Sequence, residues 1–182
     1  MDQEKALIEG CKKSNSEAQK ELYHHFVPKM MVVALRYSKS QQEAEDILQE
    51  AFIKVFNHIK GFKGDSSLYY WIKRIVVNTA LNHQRSKLYL FPMVDVQTLN
   101  EPDESFKLSD HSWEDLLQMI QQLPSGCQII FNMYAIEGYS HKEIANKLNI
   151  SEGTSKSQYA RAKSLLKEKI LREDRKAYER AR

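Results

Sequence analysis

Turn-forming residues are scarce in this chain. Its 182 residues include 6 Gly and 4 Pro, where average usage of about 7% and 5% would supply roughly twice as many. That shortage argues against sandwiches, barrels and Gly-rich nucleotide-binding loops, which need frequent turns, and favours helices. Cysteine is also sparse. Cys11 and Cys127 form neither a CxxC pair nor a dense framework, a usage that fits a reducing cytosol. No apolar run exceeds Met30–Leu35, far short of the ~18 residues that span a bilayer. The opening MDQEKALIEG lacks the basic-then-apolar layout of a signal peptide. A cytoplasmic protein without stable membrane insertion is expected. P-loop, HExxH, GxSxG and zinc-ligand patterns are missing. His24 and His25 are adjacent, so on a helix their side chains diverge and cannot share a metal. No metal, cofactor or catalytic residue is expected, and therefore no enzyme.

A packed core is expected from what is present, with 42% hydrophobic and 10% aromatic residues. The net charge of +3 conceals a pattern. Residues 1–59 sum to −1, residues 60–88 to +5, residues 89–117 to −6, and residues 118–182 to +5. Two basic blocks thus flank an acidic one. Basic blocks attract a phosphate backbone by Coulomb force and counterion release, although a solvated helical face gives the same count. The acidic stretch holds Pro92, Pro102 and the polar cluster Asn100–Ser105 without sustained helical period. It reads as a flexible linker.

Both flanks read as helical. The pairs Ser16…Gln19, Ser40…Glu43, Ser112…Asp115 and Ser140…Glu143 have the spacing of a helix cap and a side chain that reaches back to it. Each precedes apolar residues at i, i+3, i+4 spacing, most clearly Ala44, Ile47, Leu48, Ala51, Phe52, Val55, Phe56 and Ile59. Leu22, Phe26, Met30, Val33 and Tyr37 mark a long helix expected to bend near Pro28. Leu68, Trp71, Ile72, Val76 and Ala80 mark another, with Trp71 placed in the core. The expected fold is all-α: a bundle over 1–88, an acidic linker over 89–111, and a second small bundle over 112–182. In the second, Trp113, Leu116, Leu117, Ile120 and Leu123 form one apolar face.

Three constellations stand out. Ser140–Leu148, the short connection Asn149-Ile150-Ser151 and a longer helix from Glu152 have the layout of a helix-turn-helix. Ser155, Tyr159, Ala162 and Leu166 face inward on the wheel; Gly153, Ser157 and Ala160 face outward, flanked by Lys156, Arg161 and Lys163. Small residues flanked by cations suit close approach to DNA, and a plain basic hairpin has the same pattern. On the helix over 41–59, Asp46, Gln49, Glu50 and Ile53 share the side opposite the apolar stripe. An exposed Ile beside acidic and amide groups resembles a docking face; a solvated face is the plainer reading. No His or Lys is placed by the pattern to tune Asp46 or Glu50. On the helix over 67–87, Tyr70, Arg74, Asn78 and Arg85 lie off the core with Asn82 and Lys73 at the margin, after a loop carrying Lys63, Gly64, Asp65 and Ser66. Aromatics, amides and cations together suit melted or single-stranded nucleic acid.

These residues carry a resemblance. Asp46-Ile-Leu-Gln49-Glu50-Ala-Phe52, Phe62-Lys-Gly64 and Trp71-Ile-Lys-Arg74-Ile-Val-Val-Asn78 resemble region two of bacterial sigma factors of the extracytoplasmic-function group. Leu123-Pro124, Phe131, Glu137-Gly138-Tyr-Ser140-His-Lys-Glu143-Ile144-Ala145 and Ser151-Glu-Gly153-Thr154-Ser-Lys156-Ser157 resemble region four. The resemblance implies a factor that directs core RNA polymerase to promoters. It implies docking of the polymerase clamp coiled coil on Asp46, Gln49, Glu50 and Ile53, and capture of the melted minus-10 strand by Asn78, the loop Lys63–Ser66 and nearby Asn82. Thr154, Lys156, Ser157, Ala160 and Arg161 match positions at the minus-35 major groove, and region four also contacts the polymerase flap. The linker is implied to run through the channel later taken by nascent RNA. An anti-sigma factor is implied as a further partner. The competing reading is a ligand-sensing helix-turn-helix repressor, with residues 1–88 as sensor. Ser155 stands where the group usually has Val, and Gln158 and Gln128 where Arg is common. These departures bear on the minus-35 preference.

Overall fold

A computed structural model describes residues 2–88 and 112–180. Residues 89–111, the acidic linker of the sequence, lie outside the described residues. Every regular element among the described residues is helical, and the chain divides into two compact units, Met1–Arg85 and Ser86–Arg182. No described helix is long and apolar enough to cross a membrane.

The first unit contains α1 (Asp2–Lys12), α2 (Ser16–Tyr37), α3 (Gln41–His58) and α4 (Leu68–Leu88), with a single 3-10 turn (Ile59–Gly61) after α3. The cap of α2 is Asn15, one residue before the expected Ser16; its side chain accepts from the Ala18 N–H at 2.9 Å. Pro28 does not break α2, which runs through it to Tyr37. Pro28 is exposed, and solvent can satisfy the carbonyl left without a donor one turn earlier. At α3, Ser40 accepts from the Glu43 N–H, while Glu43 reaches back to the N–H of Lys39 rather than of Ser40. The α3 stripe Ala44, Ile47, Leu48, Ala51, Phe52 and Val55 is buried, together with Leu22, Phe26, Met30, Val33 and Tyr37 of α2 and Ile72, Val76 and Ala80 of α4. Each large side chain so buried contributes about 1.5–3 kcal/mol. Trp71, expected in the core, is half-buried, with its ring 5.2 Å from that of Phe62.

The second unit contains α5 (Trp113–Gln121), α6 (Ser125–Phe131), a wide π turn (Asn132–Ile136), α7 (His141–Leu148) and α8 (Glu152–Arg180). Ser112–Asp115 and Ser140–Glu143 form complete capping boxes at α5 and α7. Trp113, expected on the inner face of α5, is exposed; it sits at the first helical position, next to the Ser112 cap, where half of its surroundings are not helix. Asn149 closes α7 in the left-handed conformation, φ 55° and ψ 49°, which Asn tolerates better than most residues. Only three residues, Asn149, Ile150 and Ser151, separate the end of α7 from the start of α8. Leu123, Cys127 and Ala162 form a small core with Phe131, Leu165 and Leu166 packed on it.

α1 approaches α2 through Gly10. A Cβ built there would lie 2.6 Å from the Ala18 Cβ, an atom with no rotamer in which to retreat. Gly10→Ala gains about 1 kcal/mol in helix propensity but overpacks a rigid contact, at about 1–3 kcal/mol. We expect a net loss of about 1 kcal/mol in urea unfolding followed by circular dichroism. Equal or greater stability would show that α1 does not press on α2.

Candidate nucleic-acid interface

Three faces carry the residues singled out in the sequence. On α3, Asp46 and Gln49 are exposed and Ile53 is 61% exposed, opposite the buried stripe. Glu50 differs from its neighbours. Lys54, one turn on, donates to Glu50 Oε1 at 2.5 Å, and the ring Nε2 of His83 on α4 lies 2.6 Å from Glu50 Oε2. Lys54 also donates to Thr79 Oγ1 on α4 at 3.2 Å. The expectation that no Lys or His tunes this carboxylate is therefore wrong. The Lys54 hydrogen bond holds the Glu50 carboxyl below its ordinary range, with a smaller contribution from His83 and partial burial opposing both. The Glu50–Lys54 spacing is visible in the sequence. His83 is 33 residues away, and only packing of α3 on α4 brings it in.

On α4, Arg74, Asn78 and Asn82 are exposed and share a stripe by i, i+4 spacing. Tyr70 is 64% exposed, at the helix start. The side chain of Arg85 lies outside the described residues. Before α4, Lys63, Gly64, Asp65 and Ser66 form an exposed loop, with Gly64 at φ +83°. That left-handed value is strained for other residues. The loop and the stripe offer cations, amides and an aromatic ring on one exposed helix and its lead-in.

In the second unit α7, the Asn149 turn and α8 form the helix-turn-helix. Ser151 caps α8, accepting from the Thr154 N–H at 2.9 Å. The Thr154 hydroxyl lies 2.9 Å from Ser151 Oγ, and the Ser157 hydroxyl donates to the Thr154 carbonyl at 3.1 Å. Two residues expected to contact DNA thus also tie down the first turn of α8. Lys156 is exposed and pairs with Glu152 across 3.8 Å. Ala160 and Arg161 are half-buried.

The departures Ser155, Gln158 and Gln128 are all buried. Ser155 Oγ is 2.9 Å from Nδ1 of His141, the first residue of α7. The Cys127 thiol donates to Gln158 Oε1 at 3.1 Å. These side chains belong to the interior of the unit and do not lie on the outer face of α8, so they act on how α8 is held. Sequence reasoning missed His141, because its partner is 14 residues away. Its ring stacks on Tyr134 at 4.2 Å with planes 14° apart, and Tyr159 lies edge-on at 5.8 Å.

Burial holds the His141 imidazole below its ordinary value, Lys156 adds to the effect and Glu152 opposes it. In the unfolded chain imidazole titrates near about 6.5. A base with a lowered folded value contributes most above that point. As pH falls through about 6.5 the unfolded chain takes up the proton first, and stability declines. His141→Gln is expected to flatten the stability change of the second unit between about pH 7.5 and pH 5.5, read by urea unfolding monitored through Trp113 fluorescence. The parent slope persisting in the variant would assign it to another group.

The sequence and fold were compared with known proteins. The family model described as "Sigma-70 region 2" matches residues 22–88, and that described as "Sigma-70, region 4" matches residues 113–166. The chain is 30% identical over 181 residues to "RNA polymerase sigma-H factor" of Pseudomonas aeruginosa, covering 91% of this chain and 92% of the relative. It is 27% identical over 180 residues to "ECF RNA polymerase sigma-E factor" of Escherichia coli K12, covering 92% of this chain and 94% of the relative. In fold it resembles the structure described as the sigma factor RpoE in complex with the anti-sigma factor NepR from Bartonella quintana. That likeness has a TM-score of 0.51 at 20% identity, over 84% of this chain and 96% of the other. Matched in both units and over nearly its whole length, the chain belongs to the sigma-70 family of RNA polymerase sigma factors, in the extracytoplasmic-function group.

Proposed function

We propose that this chain directs core RNA polymerase to a specific set of promoters and stabilises the melted minus-10 element during initiation. The observation that carries the reading is the presence, in one chain, of both region matches, each falling on a unit with a suitable exposed face. Residues 1–88 act as region two, 89–111 as the linker and 112–182 as region four. Asp46, Gln49, Glu50 and Ile53 dock the clamp coiled coil; Ile53 supplies apolar area and the carboxylates select cationic partners. Lys63–Ser66, Tyr70, Arg74, Asn78, Asn82 and Arg85 take the unstacked strand. Opening the DNA then needs no chemistry, because pockets for unstacked bases favour the melted strand over the duplex. The protein is accordingly not an enzyme and works in the cytoplasm with the polymerase.

Thr154, Lys156, Ser157, Ala160 and Arg161 present the minus-35 contact surface. Ser157 and Ala160 permit close approach, while Lys156 and Arg161 supply cations. Region four also meets the polymerase flap. An anti-sigma factor fits as a partner that masks one of these faces. The repressor reading fares worse, since the family models that match the two units are those of sigma regions.

Run-off transcription with purified core polymerase on a promoter library tests the reading; initiation no more selective than core alone would refute it. For the docking face, Asp46→Lys with Ile53→Asp is the cleaner variant, because neither residue belongs to the Glu50 network. We expect at least a tenfold loss of core affinity, about 1.4 kcal/mol, with an unchanged unfolding midpoint. For α8, Lys156→Ala is expected to weaken duplex binding by holoenzyme. A loss uniform across sequences, with a salt slope smaller by about one, marks a phosphate contact; a loss at one base position marks readout.

A further inference from the structure

The Glu50 network joins two faces that the proposed function keeps separate. Glu50 lies on α3 among the docking residues. Its two partners point it at α4: His83 follows Asn82 directly, and Lys54 rests on Thr79, which follows Asn78. Thr79 and His83 are one turn apart, so they form the helical stripe that adjoins Arg74, Asn78 and Asn82. A single carboxylate therefore holds a lysine and a histidine at the edge of the surface assigned to the melted strand. Lys54 and His83 are both about one-third exposed and Glu50 is 44% exposed, so a partner can reach all three.

The oxygens are divided between the partners. Lys54 occupies Oε1 and His83 occupies Oε2. A guanidinium binding a carboxylate in its usual bidentate way requires both oxygens. Each oxygen has a second lone pair, so such a ligand does not evict His83 and Lys54 outright; it competes with them for the carboxylate charge and weakens their hold on it. The loosened groups stay close to α4, the lysine on a flexible four-carbon stem and the histidine on its own helix.

We propose that Lys54 and His83 are phosphate ligands for the single strand along Arg74–Asn78–Asn82, latched by Glu50 in the free chain and released when a polymerase cation takes that carboxylate. This rests on the docking role given to Glu50 above. It makes strand capture conditional on polymerase binding through local ion-pair exchange, with no change of fold. The free chain keeps Lys54 and His83 engaged by Glu50 at a surface that would otherwise attract any single-stranded nucleic acid.

Binding of fluorescein-labelled 12-nucleotide oligo(dT) to the isolated chain, read by anisotropy, tests the latch. Glu50→Gln opens it and is expected to raise affinity about three- to tenfold through the freed phosphate contacts. Asp46→Asn removes the same charge from the same face without touching the network, and should change affinity by less than about twofold. Adding Lys54→Met and His83→Gln to Glu50→Gln should return affinity to the parent value. Equal gains in Glu50→Gln and Asp46→Asn, or a gain surviving in the triple variant, would overturn the proposal, because bulk charge would then explain it. In holoenzyme on a promoter chosen by run-off, Lys54→Met with His83→Gln should weaken capture of the melted strand about two- to fivefold. The same pair should leave oligo(dT) binding by the isolated chain unchanged; equal effects in both settings would also overturn it. Core affinity of Glu50→Gln separates the two readings. Weakened core binding without any oligo(dT) gain removes the latch and leaves docking standing. An oligo(dT) gain with unweakened core binding removes Glu50 from the docking set, and with it the trigger.

Discussion

The first unit depends on the burial of one helical stripe, Ala44 to Val55 of α3. Its spacing forces Asp46, Gln49 and Ile53 outward, because an α-helix cannot hide both sides. The same burial brings the flank of α3 against α4, so that Glu50 and Lys54 meet Thr79 and His83. Apolar packing thus sets the polar geometry here. The ion pairs themselves are part-exposed and contribute modestly to stability; what they fix is which groups are presented and which are held.

The second unit solves a different problem. Three of its four described α-helices are short, only α8 is long, and it places polar side chains inside. Ser155 with the half-buried His141, and Gln158 with Cys127, are pairs in which an interior polar group finds its partner. Satisfied buried pairs add little net stability but penalise any arrangement that separates them. The His141–Ser155 bond joins the start of α7 to the first turn of α8 and so constrains the angle at which α8 is presented. The left-handed Asn149 constrains the same angle through the backbone.

Charge is distributed to match. A near-neutral total is made from basic blocks in both units and an acidic block between them. Within the units, the strongest cations are not simply displayed. Lys54 is held by Glu50, and Lys156 pairs with Glu152. Such i, i+4 pairs lower the field of the free chain and are weak enough to be exchanged for phosphate.

The sequence by itself determined the helical class, the two-bundle organisation, the helix-turn-helix and the outward faces of α3, α4 and α8. These depend on periodicity, caps and local spacing, all of which act within a few residues. Even there, the α2 cap moved from Ser16 to Asn15, and Trp113 stayed outside. In each case neighbouring positions offered nearly equal local chemistry. Only the tertiary structure decided that Glu50 is shared with His83, that His141 locks Ser155, and that Gln158 and Gln128 face the interior. Those outcomes join residues far apart in the chain, and a partner brought in by packing leaves no periodic trace in sequence.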